Sequence, residues 1–272
     1  MPEGDTIHKL AGALDPLLRG KVLRRAVLRR SGPHALDGRR VESVVALGKH
    51  LLIHLDDART LRTHLGMHGS WHRYRPGETW RKPARQASLV LETDDVVAVC
   101  FNAREVEVEA RGGFTARERE QRLGPDLADP TFDAAAAVGR ARERLAAETP
   151  LLDVLLDQRV ACGLGNVYKN ELLFLARIAP QTPLGAVEDT ALEVLYDRAA
   201  ALLGRNTGGG PRTTRFVDDG RGRLWVYRRA GQPCLVCAAT VRRARLGRGL
   251  RSTYWCPRCQ PELRPTRPRP ER

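Results

Sequence analysis

Residues 234–259 read CLVCAATVRRARLGRGLRSTYWCPRC and decide the architecture of the C-terminal part of the chain. Two Cys-x-x-Cys pairs stand eighteen residues apart, a spacing that lets four thiolates close a tetrahedron around one metal ion. A zinc site without an open position is structural. The sequence therefore predicts one structural Zn²⁺ per chain, with the ligands Cys234, Cys237, Cys256 and Cys259.

A pair of disulfides is the alternative for these cysteines, and a reducing compartment disfavours it. The chain has no apolar run long enough to span a membrane and no signal-peptide pattern, so we expect a cytosolic protein. Cys100 and Cys162 lie outside any paired motif and are predicted to be buried core thiols.

The charge of the chain predicts a polyanionic partner. Its 272 residues carry a formal net charge of +14, and the basic residues are 41 arginines and five lysines. Codon usage in a GC-rich genome explains much of the arginine excess but not the net charge. Arginines are also dense between the two cysteine pairs, which favours contact with DNA phosphates over a merely solvated surface.

A second signal is Gly163-Leu164-Gly165-Asn166, which lies between predicted helices over 151–158 and 167–177. The glycines allow a tight reversal, and Asn166 is predicted to cap the helix that follows. The free N–H groups at that helix start form an anion site. Glycines are common in helical hairpins, but beside a basic zinc module a phosphate clamp is the better interpretation.

The N-terminus carries the third signal. Removal of Met1 would leave Pro2 with a secondary amine, which is a better nucleophile at neutral pH than a lysine amine and forms a cationic iminium with an aldehyde-type carbon. Glu3 beside it can act as a general acid. Met-Pro-Glu starts are common, so the motif alone is weak. Lys49, in a predicted turn, is a further candidate for phosphate or sugar contact, and an ordinary turn lysine is the alternative.

Met67 stands on a turn between Gly66 and Gly69, an unusual place for a core residue. A flexible apolar side chain there can wedge into a base stack and fill the space left by an extruded nucleotide. The alternative is that Met67 fills a gap in the core.

Hydrophobic patterning divides the chain. An amphipathic helix over 6–18, with a kink or end at Pro16, precedes β-like runs as far as Val108, which predicts a sandwich or barrel. A linker over 111–133 precedes four helical segments, at 134–148, 151–158, 167–177 and 188–203.

Taken in order, these motifs resemble the Fpg/Nei family of DNA glycosylases, and within it the actinobacterial type of the endonuclease VIII (Nei) branch. The resemblance covers nearly the whole chain. The stretches that carry it are Met1–Thr6, Gly48–Leu52, His64–Gly69, Asp157–Glu171, Tyr227–Cys234 and Arg251–Gln260.

The resemblance implies an α+β multidomain fold. A two-layered β-sandwich with a catalytic N-terminal helix (1–120) precedes a helix–two-turn–helix domain (121–222), a four-cysteine zinc finger with a β-hairpin (223–262) and a disordered basic tail (263–272). DNA would bind in the cleft between the domains. The resemblance also implies roles for single residues. The nucleophile would be Pro2, the general acid Glu3, the hairpin lysine Lys49, the phosphate-pinching pair Asn166 and Arg251, and the wedge Met67.

Two departures from the family pattern matter. Thr6 stands where family members carry a glutamate that organises proton transfer, with Asp5 as the nearest carboxylate. The stretch 102–106 has an arginine but lacks the phenylalanine with which Fpg enzymes fill the void. Filling it would therefore fall to Met67 and His68.

The function expected is base-excision repair by a bifunctional glycosylase and abasic-site lyase acting on oxidised bases, with pyrimidines favoured by the short loop 207–222. The alternatives are an abasic-site lyase with little base removal and a non-catalytic paralogue that binds damaged DNA. We expect a monomer at the nucleoid in the cytoplasm, without membrane contact. Its partner would be damaged double-stranded DNA, with single-stranded or bubble DNA as further possibilities.

Overall fold

The computed structural model describes residues 2–29, 35–110 and 123–262. The first part of the linker expected over 111–133, namely 111–122, lies outside these ranges, as do Met1, residues 30–34 and the tail over 263–272. None of the helices in the described ranges is long and apolar enough to cross a membrane.

The first half of the chain is a helix packed on two four-stranded antiparallel sheets. Helix α1 spans Gly4–Leu18 and buries Ile7, Ala11, Leu14 and Leu18 as its amphipathic spacing predicts. One sheet has the order β1-β6-β7-β5 and the other β2-β3-β4-β8. The strands are β1 (Arg25–Leu28), β2 (Val41–Leu47), β3 (His50–Leu55), β4 (Arg59–His64), β5 (Ser70–Tyr74), β6 (Ala87–Glu92), β7 (Val97–Phe101) and β8 (Glu105–Ala110). The expected β-sandwich is confirmed.

The core of this half lies between α1 and the inner faces of both sheets, around Leu51, Leu61 and Leu89. Asp15 in α1 accepts a hydrogen bond from the backbone N–H of Val44 in β2 at 2.7 Å, which fixes the helix against the sheet. Cys100 belongs to this core, and burial raises the pKa of its thiol to about 12, as expected for a structural cysteine.

The second half is helical. Its helices are α2 (Ala134–Arg144), α3 (Leu151–Val154), α4 (Asn166–Leu175) and α5 (Asp189–Gly204). They enclose a core that includes Leu152, Leu172 and Leu203. The zinc-finger hairpin follows as β9 (Arg242–Leu246) and β10 (Arg251–Trp255), paired antiparallel. The helical domain and the hairpin are therefore also confirmed.

Several predicted helix bounds differ from the structure. Helix α1 begins at Gly4 instead of residue 6, and α4 spans Asn166–Leu175 instead of 167–177. Pro16 lies inside the last turn of α1 and the helix continues to Leu18. Helix α2 ends at Arg144 instead of residue 148, and α3 ends at Val154 instead of residue 158. After α3 the chain turns, because the Asp157 carboxylate accepts bonds from both the backbone and the side chain of Arg159.

Candidate active site and nucleic-acid interface

The N-terminus meets the glycine-rich turn of the helical half. The backbone N–H of Gly4 donates to the carbonyl oxygen of Gly163 at 2.8 Å. A Cβ on Gly4 would lie 2.9 Å from the Gly163 Cα, so the approach requires glycine. Pro2, two residues before this contact, is partly buried.

Glu3 is fully buried, and its carboxylate caps helix α4. It accepts hydrogen bonds from the backbone N–H groups of Gly165, Val167 and Tyr168 at 3.0, 2.8 and 3.3 Å. These are unpaired donors of the first helical turn, where the helix dipole also favours a negative charge. A Cβ on Gly165 would lie 2.4 Å from the Glu3 Cδ, so this glycine is what admits the carboxylate.

The prediction that Asn166 caps this helix is wrong. Asn166 is the first residue of α4, Gly165 is the N-cap, and no side chain of the N-cap takes part. The cap comes from Glu3, at the other end of the sequence, which local capping rules do not consider.

Lys49 lies in the turn between β2 and β3, close to the same place. The neighbouring Gly48 donates its N–H to Asp126 Oδ2 at 2.7 Å, and a Cβ there would lie 2.8 Å from Cys162 Sγ. The hairpin tip is thus docked on the helical half. Burial lowers the pKa of Lys49 to about 8; the negative charge of Glu3 opposes this shift and the positive charge of Arg251 adds to it.

Asn166 and Arg251 are brought together by contacts between α4 and β10. Asn166 Nδ2 donates to the carbonyl oxygen of Ser252 at 2.8 Å, directly beside Arg251, which is exposed. The buried Asn166 Oδ1 has no hydrogen-bond partner within the described residues. Lys169, one turn further along α4, donates to Thr253 Oγ1 at 2.8 Å. The amide and the guanidinium therefore flank one surface where the helix meets the hairpin.

Met67 and His68 form the exposed tip of the turn between β4 and β5. Met67 is 67% exposed, which rules out the alternative that it fills a gap in the core. The turn is fixed by glycines: Gly66 has a φ of +62°, and a Cβ on Gly69 would lie 2.4 Å from the Leu65 carbonyl oxygen. An apolar side chain is thus held out into solvent on a tight reversal.

The four cysteine sulfurs fit one zinc ion. They lie within 4.8 Å of one another, with Sγ–Sγ distances of 3.4 Å for Cys237 to Cys256 and 3.9 Å for Cys234 to Cys259. A tetrahedron with Zn–S bonds of about 2.3 Å has edges of about 3.8 Å. Backbone N–H groups of Val236 and Cys259 point at Cys234 Sγ and Cys256 Sγ, as suits thiolates.

Comparisons with known proteins agree with this arrangement. Residues 1–106 match the formamidopyrimidine-DNA glycosylase N-terminal domain, 123–217 the H2TH domain of the same glycosylase, and 231–261 the zinc finger found in FPG and IleRS. The chain is 40% identical to a "Probable endonuclease 8 2" of Streptomyces coelicolor, over 96% of this chain and 94% of that protein. The chain belongs to the Fpg/Nei family.

Further relatives support this placement. A "DNA-(apurinic or apyrimidinic site) lyase Nei2" of Mycolicibacterium smegmatis is 40% identical over 96% of this chain and 99% of that protein. The crystal structure of MutM (FPG) from Thermus thermophilus has a TM-score of 0.79 at 28% identity, covering 97% of this chain and all of that one. Lactococcus lactis Fpg, crystallised with DNA containing an AP site, shares the fold with a TM-score of 0.80 at 20% identity, covering 96% of this chain and all of that one.

The chain is thus a base-excision-repair enzyme of the Fpg/Nei glycosylase and abasic-site lyase class. This favours the enzyme over the non-catalytic DNA-binding paralogue. Within the family fold, several polar residues at the interface between the halves were not singled out from the sequence.

Asp126 is one of them: besides Gly48, it contacts His8 Nε2 at 3.0 Å, which joins α1, the hairpin and the helical half. Glu171 is another. It is fully buried and accepts backbone bonds from Trp225, Val226 and Tyr227, which anchors the start of the zinc finger on α4. Burial raises the pKa of Glu171, and the hydrogen bonds that it accepts oppose that rise. Asp126 belongs to no motif that could have revealed it, whereas Glu171 closes the stretch Asp157–Glu171 that resembles the family, although no role was predicted for it.

Proposed function

We propose that this chain removes oxidised pyrimidines from DNA and cleaves the resulting abasic site through a Schiff base on the Pro2 amine. The observation that carries the proposal is the position of Pro2 and Glu3 at the junction of the two halves, beside the Lys49 hairpin. The proposed catalytic residues are Pro2, Glu3 and Lys49.

In the first step the neutral Pro2 nitrogen forms a bond to C1′ of an extruded nucleotide, and the glycosidic bond breaks as Glu3 delivers a proton to the departing base. The nitrogen then releases its proton to the Glu3 carboxylate. The C1′–O4′ bond opens as Glu3 passes this proton to O4′, and C1′ is left as an iminium.

The iminium makes the C2′ proton acidic, and its loss expels the 3′ phosphate. Loss of the C4′ proton then expels the 5′ phosphate, which completes β,δ-elimination. Hydrolysis of the Schiff base frees the enzyme. Zinc takes no part in these steps; in the finger it would hold β9 and β10 together and thereby place Arg251.

The DNA contacts belong to the same proposal. Asn166 and Arg251 would grip a phosphate, and Met67 with His68 would enter the base stack in place of the extruded nucleotide. As the Lactococcus lactis protein is bound to DNA with an AP site in its crystal structure, we take damaged duplex DNA as the partner here and the nucleoid as the place of action. The chain would act as a monomer, and single-stranded or bubble DNA are further candidate substrates.

The preference for pyrimidines rests on the loop over 207–222, which looks short beside that of Fpg enzymes. It is fastened to α1, where Lys9 Nζ donates to the Gly210 carbonyl oxygen at 2.8 Å. A short, fastened loop leaves little chain to cover a purine.

Borohydride trapping tests the proposal on two labelled duplexes, one with an abasic site and one with an oxidised pyrimidine. The variants are Pro2→Gly, Glu3→Gln and Lys49→Met. Lys49 is the matched comparison, because its lowered pKa makes its amine a competing nucleophile. We expect a covalent complex on both duplexes that maps to the N-terminal peptide and is weakened by Pro2→Gly. A complex mapping to Lys49, or none at all, would overturn it.

A second candidate is an abasic-site lyase with little base removal. It is favoured by Thr6 in place of the family glutamate, and the Mycolicibacterium smegmatis relative is named as such a lyase. Trapping on the abasic duplex alone, with no base released from the other, would establish it.

A further inference from the structure

A single guanidinium lies among the buried carboxylates at the N-terminus. Arg212, in the loop that follows α5, donates from Nε to Asp5 Oδ2 at 2.7 Å and from Nη2 to Asp5 Oδ1. Its Nη1 stands 3.8 Å from Glu3 Oε1, beyond hydrogen-bonding distance. The guanidinium therefore forms its paired hydrogen bonds with Asp5, and its interaction with Glu3 is mainly electrostatic.

The pair is well enclosed. The side chain of Asp5 is 1% exposed and that of Arg212 15%. Arg212 Nη2 also donates to Thr6 Oγ1 at 3.0 Å, and the guanidinium lies over the ring of Tyr168, 5.1 Å from its centre. The hydrogen bonds to Asp5 and the charges of both carboxylates raise the pKa of Arg212 against the opposing effect of burial, so it stays cationic.

Glu3 and Asp5 are buried carboxylates beside the same guanidinium, and without that cation their two negative charges would repel each other. Arg212 prevents this, because its positive charge neutralises Asp5. Of the two carboxylates, Asp5 is hydrogen-bonded to the guanidinium and Glu3 is not. Among the described residues, Glu3 also interacts with the ammonium groups of Lys49 and Lys169 and with the phenol of Tyr168. Once Met1 is removed, the Pro2 amine would be a further neighbour.

We infer that Arg212 is a positioning residue for base removal: it neutralises Asp5, so that Glu3, the proposed proton donor, works beside a paired carboxylate instead of a second negative charge. This inference rests on the proposed function, in which Glu3 is the proton donor. In the proposed mechanism, neither Asp5 nor Arg212 contacts the reacting atoms.

The inference predicts opposite effects for the two partners. Arg212→Met removes a positive charge near Glu3, which favours its protonated form, so base removal should persist to higher pH than in the wild type. Asp5→Asn removes a negative charge, which disfavours the protonated form of Glu3. As the pH rises, base removal should therefore be lost at a lower pH than in the wild type. In Asp5→Asn/Arg212→Met both charges are gone, and the profile should return toward that of the wild type.

The experiment measures single-turnover release of an oxidised pyrimidine against pH for the wild type and these three variants. Borohydride trapping on a preformed abasic site runs in parallel, because that step needs the Pro2 amine but no proton donor for the base. We expect displacements of the falling limb by about half to one pH unit in opposite directions, with trapping retained. Thermal melting establishes which variants are folded.

A merely structural pair would lower the melting temperature of both single variants and leave the shape of the pH profile unchanged, and that result would overturn the inference. If Arg212→Met does not fold, Asp5→Asn and the double variant still test the inference. An Asp5→Asn variant with the same pH profile as the wild type would contradict it. Failure of the wild type to trap any substrate would instead refute the proposed function.

Discussion

Lys49 is a residue whose charge changes with pH near neutrality. Burial lowers its pKa to about 8, and an amine is cationic below its pKa and neutral above it. If Lys49 contacts a DNA phosphate, the affinity for DNA should fall as the pH rises from 7 to 9.

Lys49→Arg should remove much of this pH dependence, because a guanidinium keeps its charge over that range. Between pH 7 and 9 we expect the Kd of the wild type to rise about tenfold, equivalent to about 1.4 kcal/mol, and the Kd of the variant to rise markedly less. Fluorescence anisotropy on a duplex with an abasic-site analogue measures both values. Lys169 has a similar pKa and sets the slope that remains. Lys21→Arg, an exposed lysine paired with Asp95, is the control and should leave the slope unchanged. Equal slopes for Lys49→Arg and the wild type would contradict the contact.

At the scale of the element, the start of α4 depends on the absence of a side chain at Gly165. A methyl group there would displace the Glu3 carboxylate from the three N–H groups that it caps. We expect Gly165→Ala to lower the free energy of unfolding by about 1–3 kcal/mol, as overpacking does. Base removal should fall in the same variant.

Gly12→Ala is the matched control, since Gly12 lies within α1 and a Cβ there has nothing within 4 Å. It should raise the free energy of unfolding by about 1 kcal/mol through helix propensity alone. Urea denaturation of both variants measures the difference. Equal stability of the two would mean that the carboxylate is not held as described.

The zinc finger is the element whose stability we expect to depend on a metal. Phe174, Val226 and Val241 pack with its cysteines in a small cluster, which is too small to stabilise the finger without the ion. Cys256→Ser should abolish bound zinc and weaken DNA binding by at least tenfold, while the β-sandwich keeps its circular dichroism. Cys100→Ser, which alters a buried thiol outside the finger, should retain one zinc per chain by atomic absorption. If the Cys256→Ser protein binds DNA as tightly as the wild type, the zinc finger is not needed for DNA recognition.

Helices and strands whose apolar residues recur at regular spacing could be predicted from the sequence, and others could not. Helix α1 follows its buried spacing from Ile7 to Leu18, and β2 and β3 follow apolar runs. Strands β4 and β8 were not singled out, because Arg62 in β4 is buried against Glu105, Glu107 and Glu109 of β8, a pairing of charges that resembles a solvated surface in the sequence.

At the scale of the whole molecule, the charge of the chain predicts binding that weakens steeply with salt. Each phosphate contact adds about 0.9 to the slope of log K against log salt concentration on duplex DNA. Arg251→Met should therefore reduce the slope by about 1 and weaken binding to all sequences alike. Titrations between low and moderate salt measure this. Arg19→Met is the control, because Arg19 follows the far end of α1, about 20 Å from Glu3, and pairs with Asp15. An unchanged slope in Arg251→Met would place the phosphate contact elsewhere.

The candidate site shows the same division between what was and was not predictable. Pro2, Glu3, Lys49 and the cysteines belong to short motifs with a chemical reason of their own. Asp126 and Arg212 do not, because the residues that they join across the two halves are distant in the sequence and a long-range contact leaves no local pattern. Only the packing of the two halves reveals them.

The burial of Glu3 and Gly4 against the turn at Gly163 also constrains how the protein is made. The proposed amine exists only after an aminopeptidase has removed Met1, and once the two halves are docked Pro2 is partly buried and Glu3 and Gly4 are buried. At about 5–20 residues per second, the ribosome adds residue 163 roughly 10–30 s after residue 3. Maturation of the N-terminus therefore belongs to that interval, and a chain that folds before it is processed would be well formed and inactive.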